Sequence, residues 1–250
     1  MYDIRDRAKA ARYGALVTTV AVPGRGNGPH HTEHDMPADG RLFANGFRSG
    51  QSFVFDLTNP RAPRVAEQFG DVAGLMHPHS FWRLPNGNLL STFQMQHDSA
   101  GMAPGGLVEL TPRAKLVRSS ANRAPATRGD RPYSAAILND IDRVVVTTTD
   151  MDKADSTRNV QLWRLSDLSL QRTIELPLGP HFEGYRSAEP RVLRDGKTVL
   201  VSTFNCGLFL LDGLLSATPS ARMVASFPRK DKTSCAIPVI AGHYYLVTVP

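Results

Sequence analysis

The apolar positions of this chain fall in short runs of four to seven residues separated by Gly, Pro, Asp and Asn, and no stretch of 12 or more keeps a 3.6-residue period. Such runs predict β-strands joined by turns, with no substantial helix. The runs also repeat. "GRLFANGF", "GNLLSTFQ", "RVVVTTTD", "TVLVSTFN" and "HYYLVTVP" align so that Phe47, Phe93, Thr149, Phe204 and Val249 are equivalent, at separations of 46, 56, 55 and 45 residues. Each is preceded by another strand-like piece: "HTEHDMP", "HSFWRLP", "YSAAIL", "AEPRVL" and "AIPVIA". A third piece follows the first four ("SFVFDL", "GGLVELT", "VQLWRL", "GLFLLDG"), then a fourth ("PRVAEQF", "AKLVRSS", "LQRTIEL", "ARMVASF"). "DKADSTRN" reads as a solvated insertion.

Four short antiparallel strands in a unit of about 50 residues are the signature of a β-propeller blade. The chain reads as one all-β propeller domain over residues 1–250: a lone outer strand "ALVTTVAVP", four full blades, then the first two strands of a fifth. A propeller closes by pairing its first and last blades, because an open array exposes strand edges and apolar faces. The expectation is therefore a portion of a longer propeller, incomplete at the C-terminus and possibly also at the N-terminus. A distorted five-bladed ring, closed by strands from the two ends, is the alternative.

Composition adds exclusions. With 41% hydrophobic and 21% charged residues, 250 residues can bury a globular core. The net charge of +6 is spread over scattered residues such as Arg41, Arg61, Arg64, Arg83, Arg113, Lys115 and Arg118, which argues against a nucleic-acid footprint. No apolar run is long enough to span a membrane, and "MYDIRDRAKAARYG" is too polar for a signal peptide. Two cysteines, Cys206 and Cys235, form no CxxC and read as ordinary thiols. GxSxG, P-loop and HExxH motifs are absent. Asp71 and Asp98 read as solvated loop acids, and His97 and His243 as surface histidines.

Histidine is the unusual residue. Five of eight lie in "GPHHTEHD" and "LMHPHSF". The repeat gives them a place: His30, His31 and His34 enter the innermost strand of blade one, His77 and His79 the same point of blade two, and His181 the same connection of blade four. Glu189 takes the matching strand position in blade four, and Tyr133 opens the innermost strand of blade three. Connections of this type emerge on one face, so these residues converge on one end of the central channel. Residues two apart on a strand face the same side, which pairs His77 with His79 and His31 with Glu33. Imidazoles without thiolates suit Cu, Zn or Fe, with Glu33, Asp35 or Glu189 fixing a tautomer. The alternative is a set of loop histidines that are merely solvated or cap turns.

The same residues resemble a known family. "PHHTEHDMPADGRLFANGFRSGQSFVFDLTNPRAPRV" is similar to the selenium-binding protein and methanethiol oxidase family, in which His-His-Ser/Thr precedes a strand pair and a "VFDL…P..P" turn. "LMHPHSFWRLPNGNLLSTF…PGGLVEL" is similar to that family's "LHTSH…SGEVMIS…GKGGFVLL", and "SAEPRVL" to its "PLEIRFL". The resemblance implies a propeller of seven blades and a copper-dependent oxidoreductase that converts methanethiol, oxygen and water to formaldehyde, hydrogen sulfide and hydrogen peroxide. It implies a metal held by His30, His31 and His79; the repeat register adds His77 or His34 as a further ligand or proton carrier, and His181 and Tyr133 as additional site residues. Glu33 and Glu189 would be catalytic, orienting a ligand or moving a proton. The second histidine of the family's H-T-S-H falls on Trp82, and its cysteine pair is replaced by "MPADG", so selenium binding is not implied. The substrate would be a small thiol or similar molecule. The compartment would be periplasmic or secreted if a leader precedes this sequence, and cytoplasmic otherwise. A non-catalytic propeller binding a ligand or protein is the alternative function.

Overall fold

A computed structural model describes residues 2–3, 15–46, 48–99, 101–121, 129–150, 157–181, 184, 186–228, 238–241 and 244–247. Four consecutive four-stranded antiparallel sheets dominate it, each a meander in chain order. Blade one comprises β3 (Pro29–Thr32), β4 (Arg41–Gly46), β5 (Ser52–Asp56) and β6 (Arg64–Phe69). Blade two comprises β7 (Leu75–Arg83), β8 (Leu89–Asp98), β9 (Gly101–Leu110) and β10 (Leu116–Ala121). Blade three runs through β11 (Pro132–Leu138), β12 (Arg143–Thr148), β13 (Asn159–Arg164) and β14 (Leu170–Glu175). Blade four runs through β15 (Ser187–Val192), β16 (Val199–Thr203), β17 (Gly207–Asp212) and β18 (Ser220–Ser226). A two-stranded antiparallel sheet, β19 (Pro238–Ala241) and β20 (Tyr244–Val247), follows. The only helix among the described residues is a three-residue 3-10 turn, Asn139–Ile141, and none is long and apolar enough to cross a membrane.

Burial follows strand position. The second strands are almost wholly buried, as in β16, whereas the outer strands β14 and β18 present mostly exposed or half-buried positions. The cores lie between blades rather than within them. Phe43 and Val54 of blade one pack with Phe81, Leu89, Phe93 and Val108 of blade two. Leu90 and Leu107 of blade two pack with Val144, Val146 and Trp163 of blade three. Val145 and Leu162 pack in turn with Val199, Val201, Phe209 and Leu211 of blade four. A single antiparallel sheet is hydrophobic on faces it cannot cover alone, so each blade is stabilised by the next. Each large side chain buried in these seams contributes about 1.5–3 kcal/mol.

One irregularity recurs in each of the four four-stranded blades. The innermost strand carries one extra residue against its neighbour: Pro29 and Thr32 face Gly46 and Ala44, and Pro78 and Phe81 face Phe93 and Ser91. Pro132 and Ala135 likewise face Thr148 and Val146, and Ser187 and Pro190 face Thr203 and Val201. These are β-bulges, which re-aim side chains and concentrate beside functional sites.

Two expectations about elements change. The opening "ALVTTVAVP" is a strand only at β2 (Ala15–Leu16), paired with β1 (Tyr2–Asp3), because β-branched residues favour a strand only where a partner ladder exists. The innermost strand of blade one is "PHHT" rather than "HTEHDMP", so His30 and His31 sit within it and His34 beyond it. Cys206 is disulfide-bonded rather than an ordinary thiol. Cys235, His243 and residues 152–156 of "DKADSTRN" lie outside the described residues.

Candidate metal centre

The four bulges hold His30 and His31, His79 and Ser80, Tyr133 and Ser134, and Ala188 and Glu189. The same backbone distortion, repeated in four neighbouring inner strands, turns these side chains toward one another. His30, His31 and His79 each offer a nitrogen, and the three ligand atoms all lie within 4.8 Å of one another. Their ring centroids are 4.4 Å (His30 to His31), 4.4 Å (His31 to His79) and 5.3 Å (His30 to His79) apart. His30 is exposed, His31 half-buried and His79 buried, so the cluster opens to one side.

His79 is the most constrained of the three. Its Nδ1 lies 2.8 Å from the carbonyl oxygen of Tyr133. A carbonyl only accepts, so Nδ1 carries the proton and Nε2 presents its lone pair. Ser80 Oγ and Thr92 Oγ1 donate to the same carbonyl, at 3.0 and 2.8 Å, which fixes its position. The buried Nε2 of His79 has no hydrogen-bond partner among the described residues. A buried unpaired nitrogen is costly unless something binds it. Burial holds the His79 imidazole well below its ordinary pKa, with the neighbouring His31 and His30 adding to the effect. Burial also pulls His31 down to about 3, reinforced by His30, His34 and Arg191. Both rings are therefore neutral at physiological pH, the form that ligates a metal.

His31 is held from three sides. Its backbone N–H donates to Asn45 Oδ1 at 2.7 Å, and Asn45 Nδ2 donates in turn to the Pro78 carbonyl of blade two at 3.4 Å. Its Nδ1 lies 4.0 Å from Glu189 Oε1, and its Nε2 lies 3.4 Å from the Tyr133 hydroxyl. The Glu189 side chain is buried; Oε2 accepts from Ser134 Oγ at 2.6 Å and from Arg191 Nη1 at 3.1 Å, while Oε1 has no hydrogen-bond partner among the described residues. Tyr133 packs against His79 with the rings tilted by 38° (centroids 4.2 Å apart) and meets His31 and Phe204 edge-on. Burial, followed by the charge of Glu189, pushes its phenol up, so it stays protonated.

Three imidazole nitrogens with no thiolate, one already committed to the correct tautomer, fit a borderline transition-metal ion. The carboxyl group beside His31 is placed as the outer partner such ligands use.

The remaining histidines and Glu33 are not part of this set. His77 adopts a positive φ of 56°, and the two-residue alternation that would align it with His79 fails there. Its ring packs instead over Gly50, where an added Cβ would lie 3.1 Å from Cε1. His34 is exposed and lies within electrostatic reach of Arg191 and Glu189, and His181 is exposed on a turn. Glu33 is buried in an inter-blade clamp: its oxygens accept from Arg83 Nε at 3.0 Å and Nη2 at 3.1 Å, and from the Phe43 N–H at 3.1 Å. Ser80, Ser134, Thr92, Asn45, Arg191 and Phe204 were not anticipated. Ser80 and Ser134 share the bulge register of His31 and Glu189, which is the signal that would have found them.

No family model matches the chain. It is 30% identical over 146 residues to a methanethiol oxidase of Hyphomicrobium sp, covering 56% of this chain and 32% of that protein. It is 30% identical over 101 residues to a methanethiol oxidase of Ruegeria pomeroyi, covering 38% of this chain and 22% of that protein. The matches thus span about a third and about a fifth of those relatives' lengths. Among solved structures, the fold is similar to a hypothetical selenium-binding protein from Sulfolobus tokodaii, with a TM-score of 0.70, 16% identity and coverage of 91% of this chain and 56% of that one. A protein of unknown function from Bacteroides caccae is similar with a TM-score of 0.58, 15% identity and coverage of 88% and 69%. The resemblance read from the sequence is borne out to this extent: the chain is a β-propeller similar in sequence to methanethiol oxidases and in fold to a selenium-binding protein.

Proposed function

We propose that this chain carries the site of a metal-dependent oxidoreductase related to methanethiol oxidase, acting on a small thiol or similar molecule with oxygen. His30, His31 and His79 hold the metal, and copper is the ion this reading favours. The observation that carries it is the buried Nε2 of His79, unpaired and fixed as an acceptor by the Tyr133 carbonyl, beside two further imidazoles. When bound, the metal would supply Lewis-acid and one-electron chemistry toward oxygen and a thiolate.

The protein's own part is geometric and electrostatic. The bulges fix three nitrogens on neighbouring strands of two blades, so little ordering is left to occur on binding. Burial keeps His31 and His79 neutral and available. Glu189 Oε1, 4.0 Å from His31 Nδ1, is placed as the outer carboxylate that would accept the Nδ1–H hydrogen bond and leave Nε2 as the ligand atom. Ser134 and Arg191 hold the other oxygen of that carboxyl group in place.

Elemental analysis of the purified protein tests the assignment. Stoichiometric transition metal, lost in His31→Ala, is the expected result. Metal at background, or a His31→Ala protein with wild-type metal content, would falsify it.

A further inference from the structure

Blades one, two and three place His30, His79 and Tyr133 at the same bulge position, the first of the two residues between the matched ladder pairs. Blade four places Ala188 there, a buried residue whose side chain is a single methyl. Two of the four positions therefore carry imidazoles of the candidate metal set, the third a phenol, and the fourth no polar group. The phenol faces the same point as the imidazoles: its hydroxyl lies 3.4 Å from His31 Nε2, and its ring packs against His79 at a 38° tilt. Phe204 meets the Tyr133 ring edge-on with centroids 5.6 Å apart, and Arg186 lies over Phe204 with its guanidinium carbon 5.2 Å from the ring centre. The hydroxyl is an O–H donor set beside the nitrogen that would bind the metal, with the Arg186 guanidinium and the Glu189 carboxylate both within electrostatic reach.

Resting on the metal reading above, we propose that Tyr133 is the hydrogen-bond donor to a small anionic ligand occupying the open position of the three-histidine centre. The geometry separates its two functions. The carbonyl of Tyr133 sets the tautomer of His79, and any residue at this position supplies that carbonyl. The hydroxyl alone supplies the donor. Three imidazoles leave a metal with at least one open position, and an anion bound there gains from a donor that is already aimed and shielded from water.

Tyr133→Phe removes the donor and keeps the ring and the carbonyl. Wild-type and variant proteins, saturated with Cu²⁺ and checked for equal metal content, would be titrated with azide, following the azide-to-copper charge-transfer band. The expected result is azide binding weaker by roughly tenfold or more in the variant, the loss of one hydrogen bond to a charged group. Unchanged azide affinity at equal metal content overturns the inference and leaves the metal assignment standing. So does a variant that holds copper less tightly but, once saturated, binds azide as the wild type does, which would make Tyr133 a support for His31 only. A phenolate-to-copper band in the wild type that vanishes in Tyr133→Phe also overturns it, since Tyr133 would then be a ligand. Wild-type protein that takes up no Cu²⁺ removes the metal reading and this inference together.

Discussion

His79 and Tyr133 are 54 residues apart in the chain, yet Nδ1 of the imidazole donates to the tyrosine carbonyl at 2.8 Å. This bond crosses from blade two to blade three and decides which nitrogen of His79 faces the cluster. A ligand's chemistry is thus set by the main chain of the next repeat, and Ser80 and Thr92 hold that main chain in place. Two of the three candidate ligands and their orienting groups come from different blades, so the site exists only when the blades are packed.

His79→Gln keeps much of the volume of a buried side chain and removes the fixed acceptor. Loss of a metal ligand exceeds the 10–100-fold typical of outer partners, so metal affinity should fall by more than about 100-fold. The Tyr133 carbonyl keeps its Ser80 and Thr92 donors, and the fold should survive. Competition with a chromophoric chelator measures the first effect and circular dichroism the second.

Glu189→Gln tests the outer partner. Its Oε1 lies 4.0 Å from His31 Nδ1 and its Oε2 is fixed by Ser134 and Arg191. Metal affinity should fall by about 10–100-fold, and a chelator titration that shows no change removes Glu189 from the site.

Arg83→Met addresses Glu33. The bidentate pair joins blade one to blade two with the carboxylate buried and the guanidinium partly exposed. Removing the cation strands a buried carboxylate and should cost about 2–4 kcal/mol in urea unfolding, below the figure for a fully buried pair because Arg83 reaches solvent. The double variant with Glu33→Gln should recover part of this. Unchanged metal content in the double variant would identify Glu33 as a structural clamp.

His77→Asn should leave metal content at the wild-type level by elemental analysis. Asn tolerates the positive φ that His77 adopts, and the ring packs over Gly50 rather than in the cluster. A loss of metal would return His77 to the ligand set.

The metal-free protein should lose stability in acid. Unfolded histidines bind protons near pH 6.5, while His31 in the fold resists until about 3 and His79 is held well below its ordinary value. The unfolded state therefore binds more protons below about pH 6.5, and stability declines from there toward the folded pKa, by up to about 1.4 kcal/mol per pH unit for each residue. Urea midpoints at neutral and mildly acidic pH should show this decline, and His79→Gln should make it shallower.

The strand-turn pattern and the repeat were legible because they are local: alternating side chains and turn residues are dictated by neighbours in sequence. The repeat also carried long-range information. It placed His30, His31, His79, Tyr133 and Glu189 at one end of the blades, and the structure finds them there together. His77 shows the limit. In a regular strand it would side with His79, and a single residue at positive φ sends it to Gly50.

What the sequence determined by itself is the blade: four short strands, their order, and the register that aligns one repeat with the next. What only the tertiary structure decided is the aim of the side chains within that register. A bulge inserts one residue in each inner strand and breaks the two-residue alternation. Whether Glu33 meets an imidazole or Arg83, and which nitrogen of His79 is free, then depends on contacts from the neighbouring blade. Those contacts come from residues tens of positions away, and no local periodicity encodes them.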